Sequence, residues 1–371
     1  MGERFRTRAL VTAHAFASRL RRRAAAGEVR RVLVAHNLLL GDTLMLTPLL
    51  AKLRRAHPSA QITLLASPAA VPLYEGRPYG VRALAFKPAD SATTRALLRE
   101  PPFDLALVAG DNRYSWLAAA MGAAHVVAHA GDRPATKDWF VDEKRAYSAT
   151  PSAWGDMMAD LVDGPEPPPY ARGDWKAPTA RPFEAPRGPY AVLHVGGSTP
   201  LKHWVPERWA ELARGLAARG MEVAWSAGRG EETLVAAADP EGKLRSYAGA
   251  LDLAQMWHLV AGARVLVSPD TGIAHLGRVA WTPTVTLFGP GSAVLAGTGS
   301  FWRDTPWRAV GRDPFPCRDQ RFLFRREVEW VRRCGRTIEE CPEPRCMHAI
   351  GAEEVLTAAL DVSQPEGVFA R

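Results

Sequence analysis

An aspartate that follows an apolar run is the first side chain in the sequence with a chemical role to consider. Gly41 and Asp42 come after a strand-like stretch and directly before a helix-like one. An aspartate in that position commonly caps the helix, because its carboxylate accepts hydrogen bonds from the first backbone N–H groups. The same carboxylate could act as a general base that takes a proton from an attacking hydroxyl. Spacing alone favours the cap and leaves the base open.

A loop rich in small and hydroxyl-bearing residues follows an apolar run in the second half of the chain. It contains Gly196, Gly197, Ser198 and Thr199 and reaches Lys202. Glycines let backbone N–H groups approach an anion, hydroxyls add donors, and a lysine stabilises the charge on a departing diphosphate. A phosphate-binding loop and a plain surface loop are equally compatible with this composition.

A third segment joins a predicted strand to a predicted helix and holds Asp270, Thr271, Gly272 and, one turn later, His275. Free N–H groups at a helix N-terminus suit a diphosphate, so Thr271 and Gly272 are candidate ligands. Asp270 would repel phosphate, which leaves capping, holding the loop or contact with the donor sugar. His275 either contacts the donor or packs in the core. Glu231, which follows the predicted strand at residues 222–226, is a candidate ligand for ribose hydroxyls.

Alternating strand and helix patterns must position these loops. Apolar runs alternate with helix-like stretches, which predicts βαβ units and parallel sheets. We expect helices over residues 43–57 and from Pro206 to near Gly220. The expected strands cover residues 31–36, 61–66, 104–109, 125–128, 190–195, 222–226, 264–268 and 284–288.

A proline-rich stretch divides this alternation into two halves of similar size. The sequence therefore predicts two Rossmann-like α/β domains that bind ligands beyond the carboxyl ends of their strands. Neither a Gly-x-Gly-x-x-Gly turn nor a P-loop occurs, which argues against a dehydrogenase or an NTPase. We expect a basic N-terminal extension at 1–28, a first domain at 29–163, a linker at 164–189 and a second domain at 190–362, with a cysteine-containing segment at 302–346.

The charge of the chain points to an anionic partner. The formal net charge is +8, which suits an acidic substrate or an anionic membrane, although arginine-rich codon usage explains it equally. No stretch predicts a membrane helix or a signal peptide, so we expect a cytoplasmic protein. Residues 3–26 form either an amphipathic helix on the cytoplasmic face of the inner membrane or a loosely docked tail. We predict no nucleic-acid partner, and the oligomeric state stays open.

All four cysteines lie close together in the sequence, at Cys317, Cys334, Cys341 and Cys346. No CxxC pair is present, so the usual zinc-ribbon pattern is missing. Their segment is rich in arginine and proline with little apolar periodicity, and a structural zinc or iron would help to hold it. Passive thiols, or disulfides formed on purification, are the alternatives.

Taken in order, these motifs resemble those of glycosyltransferase family 9, the bacterial heptosyltransferases. The family's first loop reads Leu-Gly-Asp followed by Thr-Pro, which stand here at residues 40–42 and 47–48. Its donor loop leads to Lys-x-Trp, here residues 202–204, and its late motif Asp-Thr-Gly-x-x-His occupies residues 270–275. The resemblance covers residues 29–360, and the joint spacing is far more specific than any single motif.

The resemblance implies the GT-B fold, two Rossmann-like domains facing across a cleft. It implies inverting transfer of heptose from ADP-heptose, with no cofactor required for catalysis. Asp42 becomes the expected base, and Lys202 with Thr271 and Gly272 the expected diphosphate contact. The usual acceptor is the inner core of lipopolysaccharide, an acidic lipid-linked glycan at the cytoplasmic face of the inner membrane.

Cations and tryptophans between residues 110 and 145 place the expected acceptor site in the first domain, with Arg113 and Lys137 as ligands. A solvated loop is an equal alternative. A related branch of the family adds heptose to serines of autotransporter proteins and carries a cysteine-bound iron, so a protein acceptor is an alternative function. A non-catalytic nucleotide-sugar-binding protein is another, and the joint presence of Asp42 and Lys202 argues against it.

Overall fold

The computed structural model describes residues 2–20 and 27–364. The chain divides into two compact units. The first comprises Met1–Pro168, Asp174–Lys176 and Arg321–Val331, and the second comprises Pro169–Gly173, Ala177–Gln320 and Arg332–Arg371. In the described part of the chain, no helix is both long and apolar enough to cross a membrane.

The first unit is built on one parallel sheet. Its strands are β1 (Arg31–Ala35), β2 (Gln61–Ala66), β3 (Val81–Ala85), β4 (Leu105–Val108), β5 (His125–His129) and β6 (Glu143–Arg145). Its helices are α1 (Glu3–Leu20), α2 (Leu40–Met45), α3 (Thr47–Ala56), α4 (Ser91–Leu97), α5 (Tyr114–Ala120) and α6 (Trp154–Ala159). The strand order β3-β2-β1-β4-β5-β6 is that of a Rossmann fold, in which the chain reverses direction across the sheet between β1 and β4.

The second unit repeats this plan. Its strands are β7 (Tyr190–His194), β8 (Glu222–Ser226), β9 (Arg245–Ser246), β10 (Val265–Pro269), β11 (Thr284–Phe288) and β12 (Trp307–Gly311). Its helices are α7 (Pro206–Ala217), α8 (Glu232–Ala238), α9 (Leu253–Ala261), α10 (Gly272–Val279), α11 (Arg345–His348) and α12 (Ala352–Val362). The order β12-β11-β10-β7-β8-β9 is again the Rossmann order, with the reversal between β7 and β10.

Buried apolar strands were the most reliable part of the sequence prediction. β2, β8 and β11 have the predicted bounds to the residue, because strands covered on both faces are continuous apolar runs. The single helix predicted over residues 43–57 is wrong, since α2 ends at Met45 and α3 begins at Thr47. Pro48 cannot donate the hydrogen bond that a continuous helix needs, so it lies in the first turn of a new helix.

The N-terminal extension contains a packed helix. Helix α1 ends at Leu20, and residues 21–26 of the predicted 3–26 helix lie outside the described residues. Ala15 is fully buried, and the Phe16 ring meets Trp116 edge-on with 5.8 Å between centroids. Helix α1 thus packs against the rest of the first unit, and contact with a membrane stays a prediction.

A hairpin from late in the chain completes the first unit. Strands β13 (Phe322–Leu323) and β14 (Arg326–Glu327) pair antiparallel, and residues 321–331 belong to the first unit although their neighbours belong to the second. The predicted boundaries had put them in the second domain. The Arg326 guanidinium is buried and donates to the carbonyls of Gly110 (2.6 Å) and Ala130 (2.8 Å) and to Asn112 Oδ1 (2.6 Å). One arginine therefore fastens the hairpin to the loops after β4 and β5.

Arg326→Met is expected to loosen those loops strongly. It would leave four backbone carbonyls without this donor, and Lys137 as the remaining cation beside the buried Asp132 carboxylate, which lies 3.5 Å from Arg326 Nη2. Removing one partner of such a buried pair typically costs about 3 kcal/mol or more. Hydrogen exchange over β4 and β5 measures the loss as faster exchange. Arg321→Met, an exposed change in the same segment, should leave exchange unchanged; equal effects of the two variants would contradict the anchoring role.

Candidate functional site

The reversal point of the second sheet brings the predicted donor residues together. The loops after β7 and β10 are neighbours because these strands pair in parallel. Lys202 Nζ donates to the backbone carbonyl of Asp270 at 2.5 Å and lies 3.1 Å from its Oδ2. A cation and a carboxylate thus meet where Rossmann folds bind nucleotides. Asp270 thus holds the Lys202 side chain.

Helix α10 begins beside this ion pair, as predicted. Thr271 is its N-cap residue and Gly272 its first helical residue. Thr271 Oγ1 lies 3.0 Å from Ser268 Oγ, which orients the hydroxyl. His275 Nε2 lies 3.8 Å from Asp270 Oδ1, but burial, aided by the nearby Arg278, lowers the pKa of His275 to about 3. A neutral His275 is a buried packing group with no charge to offer a phosphate, and its contact with a donor stays a prediction.

The remaining predicted donor residues serve the loops themselves. Thr199 Oγ1 accepts a hydrogen bond from the Leu201 N–H, so Thr199 caps the short turn that carries Lys202, while Ser198 is exposed. Glu231 Oε1 accepts from the Gly197 N–H at 3.0 Å, and its Oε2 accepts from the Gly228 N–H at 2.7 Å. Glu231 thus ties together the loops after β7 and β8. Contact of Ser198, Thr199 and Glu231 with a donor stays a prediction.

Asp42 lies in the first turn of α2, after β1. Leu39 is the N-cap residue of that helix, so the simple capping interpretation of Asp42 is wrong. The Asp42 side chain is half-buried. Asn37, in the segment before it, forms a side-chain hydrogen bond with Tyr114. Burial lowers the pKa of the adjacent His36 to about 3, so that imidazole brings no charge to the loop.

The two predicted acceptor ligands belong to an ion-pair cluster in the first unit. Lys137 is buried, and its Nζ lies 2.9 Å from both Asp111 Oδ1 and Asp132 Oδ1. Arg113 Nε lies 2.8 Å from Asp111 Oδ2, but its side chain is about half exposed. Sequence reasoning missed the two aspartates, because they are far apart in the chain and meet only through the parallel pairing of β4 with β5. The charge of Lys137 is therefore balanced within this cluster, whereas the Arg113 side chain is still exposed to solvent.

Comparison with known proteins identifies the family. The family model described as glycosyltransferase family 9 (heptosyltransferase) matches residues 93–307, which is more than half of the chain. The chain belongs to glycosyltransferase family 9. The matched range includes Lys202 and the α10 segment, and Asp42 lies before it.

Curated relatives of this family 9 protein match over part of their length. Lipopolysaccharide heptosyltransferase 1 of Pseudomonas aeruginosa is 32% identical over 240 residues, which cover 59% of this chain and 62% of the relative. The protein of the same name from Escherichia coli K12 is 32% identical over 112 residues, 30% of this chain and 35% of the relative. The chain thus matches less than two thirds of the length of these relatives.

Solved structures share the fold over nearly the whole chain. A family 9 glycosyl transferase from Veillonella parvula has a TM-score of 0.69 at 16% identity, covering 92% of this chain and 99% of the other. The E. coli ADP-heptose lipopolysaccharide heptosyltransferase II has a TM-score of 0.66 at 17% identity, covering 90% and 98%. The iron-containing dodecameric glycosyltransferase TibC of enterotoxigenic E. coli has 0.54 at 15%, covering 90% and 76%. The prediction of a GT-B fold with two Rossmann-like domains is confirmed.

The cysteines of this family 9 protein do not form a metal shell in the described part of the chain. All four are free, and Cys346 is buried. The pKa of the Cys346 thiol is raised, mainly by burial and to a smaller extent by the nearby Cys317. The Cys334 N–H donates to the Pro290 carbonyl. In the described part of the chain, no group of three or more His, Cys, Asp or Glu side chains is arranged to hold a metal ion. As placed, the thiols do not fit a tetrahedral zinc or iron site.

The predicted structural metal therefore stays a prediction for direct measurement. A four-thiolate site would give about one zinc or iron per chain in protein purified without chelator. It would also protect the thiols from a thiol reagent until a chelator removes the metal. A ratio well below one, together with four reactive thiols, would end the idea.

Proposed function

We propose that this family 9 protein is a glycosyltransferase that moves heptose from ADP-heptose to a hydroxyl of an acidic lipid-linked glycan in lipopolysaccharide core assembly. The names of the curated relatives support the reaction class, and the name of the E. coli heptosyltransferase II supports the donor. The observation that carries the proposal is the Lys202–Asp270 pair beside the start of α10. Lys202 supplies a cation, and the start of α10 supplies free backbone N–H groups, both at the ligand-binding edge of the second sheet. A nucleotide diphosphate requires both kinds of group.

The proposed reaction inverts the anomeric centre in one displacement. Asp42 takes the proton of the acceptor hydroxyl as that oxygen bonds to the anomeric carbon. The bond from this carbon to the donor's diphosphate oxygen breaks at the same time, and ADP leaves with the electron pair. Lys202 and the N–H groups at Thr271 and Gly272 stabilise the new negative charge. In this scheme they do the work that a bound metal ion does in other sugar transferases.

A donor panel tests the proposal. Thermal shifts with ADP-, UDP-, GDP- and CMP-sugars at equal concentration should show the largest stabilisation with the ADP-sugar, because the ligand with the lowest Kd for the folded state stabilises it most. Transfer in the presence of EDTA should equal transfer with Mg²⁺, and the product linkage should have the opposite anomeric configuration to the donor. A clear preference for a UDP- or CMP-sugar would rule out heptose from ADP-heptose.

A protein acceptor is the second candidate, and two observations favour it. The four cysteines fall in one segment of the sequence, although the described structure does not arrange them as a metal shell, and TibC, a structural neighbour, is named as iron-containing. Separate incubations with a lipid-linked glycan and with an autotransporter passenger domain distinguish the two acceptors. Both candidates use a cytosolic nucleotide sugar, so we propose a cytoplasmic location, with the glycan acceptor bringing the enzyme to the inner membrane.

A further inference from the structure

A cavity of about 900 Å³ lies in the first unit beside helix α1. We call it the α1 cavity. Its wall is shared by α1, the segment after β1, the loop after β3, the start of α5 and the β13–β14 hairpin. Its cationic lining residues are Arg4, Arg8, Lys87, Arg113, Lys137 and Arg325.

The α1 cavity has an unbalanced positive charge. None of the described residues that line it is an aspartate or a glutamate. Lys137 and Arg113 are paired with Asp111 behind the wall. Arg4, Arg8, Lys87 and Arg325 have no ion pair with a carboxylate among the described residues. Cations gathered in a concave wall repel one another and raise the local concentration of anions.

Helix α1 is held in the position that presents its arginines to the cavity. Glu3 Oε1 accepts a hydrogen bond from the Ser91 N–H at 3.1 Å at the start of α4. At the other end of the helix, Arg19 Nη1 donates to the Trp139 carbonyl at 2.6 Å. Arg4 and Arg8 are four residues apart, so they share one helix face, where like charges destabilise an isolated helix. An anion between them would turn that repulsion into attraction.

The same cavity has an apolar and hydrogen-bonding side. Val11, Phe86 and Leu117 contribute apolar surface, and Asn37 contributes an amide. Asn37 lies on the same loop after β1 as Asp42. A ligand that fits these walls carries a negative group and a less polar, hydroxyl-bearing body, and it lies next to the loop of the proposed base.

We propose that the α1 cavity binds a phosphate-bearing sugar of the acceptor glycan, with Arg4, Arg8 and Arg325 selecting for the phosphate. The assignment of this ligand to the acceptor glycan rests on the proposed function. The cations line a concavity formed by separate elements, whereas a bilayer presents its headgroups as a surface. A buried sugar phosphate therefore fits the arrangement better than a membrane does. Helix α1 is then part of a substrate site.

The test compares two paired charge removals in the full chain. R4Q/R8Q removes two cavity arginines, and R6Q/R99Q removes two exposed arginines of the same unit that do not line the cavity. Calorimetry at low ionic strength uses glucose 1-phosphate as the probe, with inorganic phosphate and glucose for comparison. We expect R4Q/R8Q to weaken glucose 1-phosphate binding by about ten-fold or more, because hydrogen bonds to charged groups are strong. R6Q/R99Q should bind like the unmodified protein, and glucose should bind to none of them.

A further variant and two further ligands complete the test. R325Q removes a cavity cation from the hairpin, so it should also weaken glucose 1-phosphate even where R4Q/R8Q unfolds α1. ADP affinity should be the same in all variants. Equal losses in R4Q/R8Q and R6Q/R99Q, or no binding of glucose 1-phosphate to the unmodified protein, would overturn the proposal. So would loss of binding to phosphatidylglycerol vesicles in R4Q/R8Q with glucose 1-phosphate affinity retained, since this would make α1 a membrane contact.

The outcome separates this inference from the proposed function. If ADP-heptose does not bind but the arginine-dependent glucose 1-phosphate site is present, the proposed function fails and the anion site stands. If transfer to a lipid-linked glycan is observed, R4Q/R8Q should raise the acceptor KM and leave kcat near its original value. Enzymatic removal of phosphate from that acceptor should abolish the difference between R4Q/R8Q and the unmodified protein.

Discussion

Asp42→Asn is expected to lower the turnover number by about 10²–10⁴, because that is the usual contribution of a positioned general base. The amide has nearly the shape of the carboxylate but cannot accept the proton of the acceptor hydroxyl. Affinity for the donor should be unchanged, since the donor contacts proposed above lie in the second unit. The rate falls at the chemical step, so it is measured as kcat with both substrates saturating.

A matched variant separates loss of the base from loss of structure. Asp90 is the N-cap residue of α4, where its carboxylate accepts from the Ala92 N–H at 2.8 Å. Asparagine caps a helix as well as aspartate does, so Asp90→Asn makes the same chemical change in the same unit without a catalytic consequence. The acidic limb of the pH profile of kcat/KM should vanish in Asp42→Asn alone. Near-full turnover in Asp42→Asn at unchanged melting temperature would remove Asp42 from the mechanism.

The sequence could predict the second-unit site because its parts follow neighbouring strands. β7 and β10 are continuous apolar runs, so their ends could be placed, and parallel strands bring their carboxyl ends to one edge. The parallel pairing of β7 with β10, which the structure shows, then places Lys202 beside Asp270. What the sequence could not supply was the partner of each charge. Asp270, expected to cap, hold the loop or contact the sugar, forms an ion pair with Lys202.

The first-unit site was harder to predict, since part of it comes from a segment that is distant in the sequence. Arg325 and Arg326 reach the first unit through a hairpin whose neighbours belong to the second. No local pattern encodes such a return. The structure also explains why the segment at 302–346 is rich in arginine, which composition alone could not. Arg318, like Arg326, is buried and donates to backbone carbonyls, here those of Phe288 and Gly289. Buried arginines thus do part of the fastening for which a metal was predicted.

Lys202→Met is expected to weaken ADP by about 10- to 100-fold, since a charge-assisted hydrogen bond contributes about 1.5–3 kcal/mol. The turnover number should fall further, by about 10²–10³, because negative charge on the diphosphate grows in the transition state. Lys243→Met removes an exposed lysine of the same unit and should change neither quantity. Added Mg²⁺ should not restore Lys202→Met. Normal ADP affinity in that variant, measured by calorimetry, would exclude Lys202 from the diphosphate site.

A double variant tests the coupling between Lys202 and the Asp270 carboxylate. Without Lys202, that carboxylate stands uncompensated beside the start of α10 and repels the diphosphate. Part of the loss in Lys202→Met is therefore repulsion, which Asp270→Asn should relieve. The double variant Lys202→Met/Asp270→Asn should bind ADP more tightly than Lys202→Met alone, yet its turnover should stay low because no cation faces the leaving group. Simple additivity of the two ADP losses would contradict the coupling, since residues in one ion pair are expected to depart from it.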